Sequence, residues 1–207
     1  MGRRSGSKNA DYLKSKEKLV ERLSASATAE ASFRVLAERA KVSPATLRHY
    51  FQDREGVFDA VFSHHRKKGQ PYMQAAAQAD VGQVRDALRW LLKGVVSGWQ
   101  RGLGAVHGLG LGAGLGDARV GPSYVNEILE PTLQSVEARL QRHIDLGELK
   151  KTHVRYAALA LLSPVVLGLI HQQGLFGAKC RPLDLGAFID DHVEHFVGAY
   201  AVRAPSR

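Results

Sequence analysis

Nearly every stretch of the chain spaces its apolar residues three and four positions apart, and none alternates them as a half-buried strand would. The pattern predicts an all-α protein. A first helix over about 11–24 carries Leu13, Leu19, Val20 and Leu23, with Lys14, Lys16, Lys18 and Arg22 on its wet side. Ser32 is placed to cap a second over 33–40, and Ser43 followed by Pro44 opens a third, two-turn helix ending near Phe51. Asp53 caps a fourth bearing Val57, Phe58, Val61 and Phe62, which either ends at Gly69-Gln70-Pro71 or passes through it. Asp80 with Gln83 resembles a capping box for a helix with Val84, Leu88, Leu91, Leu92 and Val95. Ten of the 21 glycines fall between Gly94 and Gly121, which predicts a marginal helix or mobile loop over 102–116. Beyond Pro122 the stripe Val125, Ile128, Leu129, Leu133, Val136, Leu140 and Ile144 predicts a helix bent at Pro131. Two more follow, over about 152–173 and, capped by Asp184, 185–202.

Charge changes this picture by dividing it. The net charge of +9 is concentrated in residues 1–70, where 15 Lys and Arg face 8 Asp and Glu. A positive N-terminal third is expected where a segment meets a polyanion. The single cysteine, Cys180, excludes an internal disulfide, and the chain opens without the apolar stretch of a secretory signal, so a cytoplasmic setting is expected. Residues 156–178 carry no Asp, Glu, Lys or Arg, but Ser163-Pro164 interrupts their middle and His171, Gln172 and Gln173 close them. They are expected to form a core or interface helix, with no membrane partner.

Two helices joined through Ala40-Lys41-Val42-Ser43, the second of only two turns, make a helix-turn-helix. Leu36, Ala37, Val42, Leu47 and Phe51 are apolar where the pair must pack. Ser43 at the start of the second helix and Ala45, Thr46, Arg48, His49 and Tyr50 along it are left to meet phosphates and base edges. So short a helix covers few base pairs. Useful specificity therefore calls for a homodimer reading a palindromic operator in duplex DNA, with half-site centres about 34 Å or a multiple apart. Leu159, Val166 and Ile170 on the penultimate helix, with Phe188, His192, Phe196 and Tyr200 on the last, offer the self-association surface, two helices from each copy forming a four-helix bundle.

The segment SFRVLAERAKVSPATLRHYFQDREGVFDAV resembles the N-terminal domain of the tetracycline-repressor (TetR) family of bacterial transcription regulators. The resemblance covers residues 11–68; the rest suits the family's ligand-binding and dimerisation domain in outline. It implies a DNA-binding domain over 1–68, an effector and dimerisation domain over 69–207, and a repressor released by a small molecule. It further implies that Thr46 and Tyr50 hold phosphates, that His49 approaches bases and that Arg54 anchors the DNA backbone. Arg48 stands where the family usually shows Tyr, and its guanidinium suits guanine N7 and O6. Lys41 replaces the usual turn glycine, and Thr28-Ala29 stands where the family tends to show glycine and an aromatic.

By the same resemblance an unidentified effector lies among the central helices. Met73, Trp90, Trp99, Leu103, Leu109 and Tyr124 are its candidate apolar contacts and His107 and His171 its polar ones, which favours an apolar or weakly polar molecule. No cofactor motif is present: the glycine run 102–116 contains neither G-x-G-x-x-G nor G-x-x-x-x-G-K, and no strand precedes it. Asp191, His192, Glu194 and His195 are spaced as metal ligands on one helical turn, but a charged outer face explains them as well. Neither a G-x-S-x-G elbow nor a carboxylate pair argues for an enzyme.

Overall fold

The computed structural model describes residues 3–78 and 83–202, and apart from one isolated bridge between Leu149 and Ala201 their regular elements are helical. They are α1 (Arg3–Ser24), α2 (Phe33–Ala40), α3 (Pro44–Phe51), α4 (Arg54–Gln78), α5 (Val84–Gly98), α6 (Gly104–Gly114), α7 (Val120–Tyr124), α8 (Glu130–Asp145), α9 (Val154–Leu169) and α10 (Leu185–Tyr200). Three π-turns, Trp99–Leu103, Val125–Leu129 and Ile170–Gly174, widen the ladder between or after helices. The chain divides into two compact units. The first comprises Met1–Lys68 and Ala105–Ile128, the second Gly69–Gly104 and Leu129–Arg207. The sequence pattern suggested a division at Lys68 alone; α6 and α7 join the N-terminal helices, where Tyr124 packs near Phe62 and Arg119 pairs with Asp53 and Asp59.

The helix starts follow their caps. Ser32 Oγ accepts from the Val35 amide at 3.3 Å, Ser43 Oγ from Thr46 at 3.0 Å, and Asp53 Oδ1 from Gly56 at 2.8 Å. Asp184 Oδ1 takes two amides, those of Gly186 and Ala187. Gln83, by contrast, makes no side-chain cap, and its expected partner Asp80 lies outside the described residues. Lys41 ends α2 at φ 59°, ψ 44°, the left-handed region in which its place in the turn would ordinarily call for glycine.

Two prolines lie inside helices, Pro71 where the sequence left α4 to end or pass through and Pro164 within the helix expected over 152–173. Pro71 offers no N–H to the Lys67 carbonyl, which lies on an exposed turn open to solvent, and α4 passes through. Pro164 likewise removes the donor for the Ala160 carbonyl within α9, and one residue further on the Leu161 carbonyl accepts from His192 Nε2 of α10 at 2.9 Å. Val154–Gly174 is long and apolar enough to cross a membrane by length and composition. In the second unit one face of α9, with Ala158, Leu161, Val165 and Leu169, lies in a core shared with Leu88 and Leu92 of α5, Val136 and Leu140 of α8 and Val193 of α10.

The glycine-rich stretch is ordered. Beyond Gly102, which turns the chain at φ 120°, it forms α6. The glycines that recur every fourth residue divide: a Cβ at Gly104 would stand 2.6 Å from Trp99 and one at Gly112 2.8 Å from Ala29, whereas Gly108 and Gly116 face open space. Gly110 faces the Tyr124 ring so closely that a Cβ there would stand 2.2 Å from a ring carbon, and Gly114 meets the backbone of Gly121. Gly110→Ala is therefore expected to cost about 1–3 kcal/mol through overpacking. Gly108→Ala, an exposed helix-interior change, is expected to stabilise by about 0.5–1 kcal/mol. Urea unfolding of the two variants beside the wild type checks both signs.

Candidate functional site

Two buried side chains hold α3 in place. Leu47 and Phe51, one turn apart, enter the core of the first unit, and Pro44, Ala45, Thr46, Arg48 and His49 are left exposed. Ser43 is exposed too, but its hydroxyl is engaged in the cap and lies 2.9 Å from the Thr46 hydroxyl. Arg48 carries no ion pair among the described residues and lies 5.7 Å from the Phe33 ring, so its guanidinium edge is free to meet a base. Tyr50 is half-buried, stacked on Tyr12 of α1 at 4.9 Å, and His49 meets the same Tyr12 ring edge-on at 5.6 Å. Sequence reasoning missed Tyr12, which holds two of the expected contact residues; its i, i+4 relation to Lys16, whose ammonium lies over Phe51, was the available signal.

Arg54 departs from expectation. Its Nε donates to the Ala31 carbonyl at 2.9 Å, its Nη2 donates to the Ala29 carbonyl, and its guanidinium stacks on Phe58 at 4.6 Å. A side chain so committed ties the α1–α2 connection to α4. Arg22 and Arg39 act alike, donating to Ala40 and Ser26 carbonyls, so part of the N-terminal positive charge is spent internally. Lys14, Lys18, Lys41 and Arg48 remain exposed on this unit.

The candidate effector residues do not form one set, since they fall in both units. In the first, Leu109 and Tyr124 are buried, and His107 Nδ1 shares a 2.5 Å hydrogen bond with Tyr124 Oη while Tyr124 packs near Phe62. Burial pushes His107 down to about 4 and raises Tyr124 above its ordinary range, so both are neutral near pH 7. In the second unit Trp99 is buried against Gly104, and Met73 and Leu103 are half-buried. Trp90 is 55% exposed and His171 is also at the surface, so neither walls an enclosed cavity within its unit.

The self-association surface is also redrawn. Leu159 is exposed, and Val166, Ile170, Phe188, His192 and Tyr200 are half-buried, but Phe196 is buried beside Val193 and Val197 in the core. The α10 stripe turns inward at that point because α10 packs on α5, where Arg85 and Arg89 hold Glu194. Tyr156 and Leu167, both 66% exposed on α9, extend the apolar face in its place. The potential metal ligands on α10 have other partners: His192 serves α9, Glu194 serves α5, and His195 bonds the Asp191 carbonyl.

No family model matches the sequence, and no curated protein does. The structure, in contrast, is similar to solved ones over almost its whole length. A TetR transcriptional regulator from Agrobacterium tumefaciens superimposes with a TM-score of 0.70 at 16% identity, covering 93% of this chain and 94% of that one. The chain has the fold of TetR-family regulators. FadR from Bacillus subtilis, in complex with stearoyl-CoA, matches at TM-score 0.67 and 18% identity over 90% of this chain and 97% of its own. SmeT in complex with triclosan matches at 0.65 and 18% identity over 92% and 93%.

Replacing Arg54 by Ala removes two charge-assisted donors and is expected to destabilise the protein by about 2–3 kcal/mol. The salt slope of DNA affinity should stay unchanged in the folded variant, whereas a lost phosphate contact would reduce it by about one. The buried histidines predict a pH effect of definite sign. His107 and His65, both held down to about 4 mainly by burial, take up protons near 6.5 once unfolded. Their contribution is intact above pH 6.5 and is lost as pH falls toward 4, by up to about 3 kcal/mol for His107. Unfolding free energies at pH 7 and 4.5 should therefore differ less in His107→Gln than in the wild type.

Proposed function

We propose that this protein is a homodimeric, sequence-specific DNA-binding regulator of transcription whose hold on its operator is released by a small molecule. The observation that carries the reading is α3: a capped two-turn helix of a helix-turn-helix with Arg48, His49, Thr46 and Ala45 outward and a positive field around it. Thr46 and Tyr50 meet phosphates, His49 approaches base edges and Arg48 reads a guanine. Two copies associate through the exposed apolar face of α9, with Tyr156, Leu159 and Leu167, and the half-buried Phe188 of α10. That surface is too apolar for one copy to leave in water and suits an isologous contact.

The second unit is the effector-binding part in this reading. Support comes from the relatives in fold that hold stearoyl-CoA, whose acyl chain is apolar although its nucleotide is charged, and triclosan, a largely apolar molecule. DNA and effector oppose each other where each selects a different spacing of the two reading heads, which makes the protein a repressor relieved by its ligand.

The test is fluorescence anisotropy with promoter fragments of the source genome, alongside light scattering for the mass. A dimer with selective duplex binding and a steep negative dependence of log affinity on log salt is expected. Arg48→Ala should cost about 1–3 kcal/mol on the operator and relax one position of it. Equal losses on operator and random duplex would remove Arg48 from base reading, and a monomer that ignores every fragment would end the whole reading.

A further inference from the structure

The second unit encloses a cation for which its described residues offer no counter-charge. Arg139 on α8 is 2% exposed. Its Nε donates to the Ala76 carbonyl at 2.7 Å and its Nη1 to the Ala87 carbonyl at 3.2 Å, and the Trp90 ring lies 5.3 Å from the guanidinium. Nη2 is buried and has no hydrogen-bond partner among the described residues. The ion pairs of this unit among the described residues use Arg85, Arg89, Lys93 and Arg155 instead.

Each of these contacts falls short of a counter-ion. Ala76 lies in the last turn of α4, where carbonyls lack intrahelical partners and the helix dipole is negative, so it eases the charge without cancelling it. An aromatic face and a second carbonyl add attraction but no negative charge. Burial without an anion lowers the Arg139 pKa from its ordinary value, the sign of a charge held against the cost of desolvation. Proteins leave few buried donors unbonded, and a guanidinium edge with two free N–H groups has the geometry of a carboxylate. One net charge and one free edge match a monoanion. Arg89 on α5 is already held by Asp86, Asp190 and Glu194, and so adds no free second cation for a phosphate dianion.

We propose that Arg139 anchors the carboxylate of an apolar acid, making the effector of this protein an organic anion. Trp90, packed on the guanidinium and 55% exposed, offers a face for the ligand's body. The side chains on neighbouring turns, Leu88, Leu91, Val136 and Leu140, are apolar, which sets the rest of the ligand as hydrocarbon or aromatic. This rests on the second unit being the effector-binding part and replaces a neutral apolar ligand with an acidic one.

Isothermal titration of the full-length protein with decanoate and with decanol, equal in chain length and differing in charge, tests it. Decanoate is expected to bind at least tenfold more tightly, and the indole N–H signal of Trp90 should move in nitrogen-15 spectra. Arg139→Met should abolish the preference, and Arg139→Lys should keep part of it. Equal binding of the two probes by the wild type overturns the proposal without recourse to any variant, as does a decanoate preference that survives in Arg139→Met. Decanoate binding seen only in Asp80→Asn overturns it too, because the cation would then be answered within the chain. Operator binding measured without probe separates the outcomes: a protein that binds its operator and ignores decanoate loses this site alone.

Discussion

A helix of eight residues does not hold its shape in water, so the form of α3 is imposed by what it is anchored to. Leu47 and Phe51 supply the anchorage and Ser43 with Pro44 the start. Once those are fixed, the direction of every other side chain on the helix follows from 100° per residue. The exposed row is thus a consequence of the buried pair, and Tyr12 adds a constraint from α1 by packing on both His49 and Tyr50. The framework behind α3 is built by arginines. Arg39 and Arg54 donate to backbone carbonyls of the α1–α2 connection and Arg22 to the carbonyl that ends α2, where the chain would otherwise leave acceptors unanswered.

That division of labour among arginines is where sequence reasoning reached its limit. Caps were legible because an N-cap is local: Ser32, Ser43, Asp53 and Asp184 sit within three residues of the amides they serve. The buried pair on α3 was legible for the same reason, being a matter of spacing. Arg54 is separated from Ala29 and Ala31 by more than 20 positions, and nothing in its neighbourhood distinguishes a donor to a distant carbonyl from a donor to phosphate. Phe196 was assigned to a contact surface on its helical period, but period gives a face and not the partner that covers it. The partner was α5, a hundred residues earlier.

The glycine run shows a related ambiguity. Glycine weakens a helix on its own and also lets another backbone or ring come close, and the two effects have opposite signs for stability. Composition reports both equally. In this chain the second prevails at Gly110 and Gly114, whose contacts with Tyr124 and Gly121 knit α6 to α7. The prolines make a comparable case: Pro71 and Pro164 each remove one intrahelical donor, yet α4 and α9 run on through them.

On α8 the stripe Val136, Leu140 and Ile144 was plain in the sequence, yet the helix buries a second row beside it, Ser135, Arg139 and His143, also spaced by four. Polar residues at that spacing ordinarily mark a wet face. Here each is drawn inside by a specific acceptor: Ser135 by the Thr132 carbonyl, His143 by Glu148, Arg139 by the carbonyls of Ala76 and Ala87. For the hydroxyl and the imidazole those partners are sufficient, because a single strong hydrogen bond can satisfy a group of that size. The guanidinium differs in kind, having five donors and a full charge, so the same burial leaves it in deficit. A core that tolerates such a deficit gives up stability that leucine or methionine at position 139 would restore. A ligand able to supply the missing charge would bind the folded state selectively and recover part of what was given up.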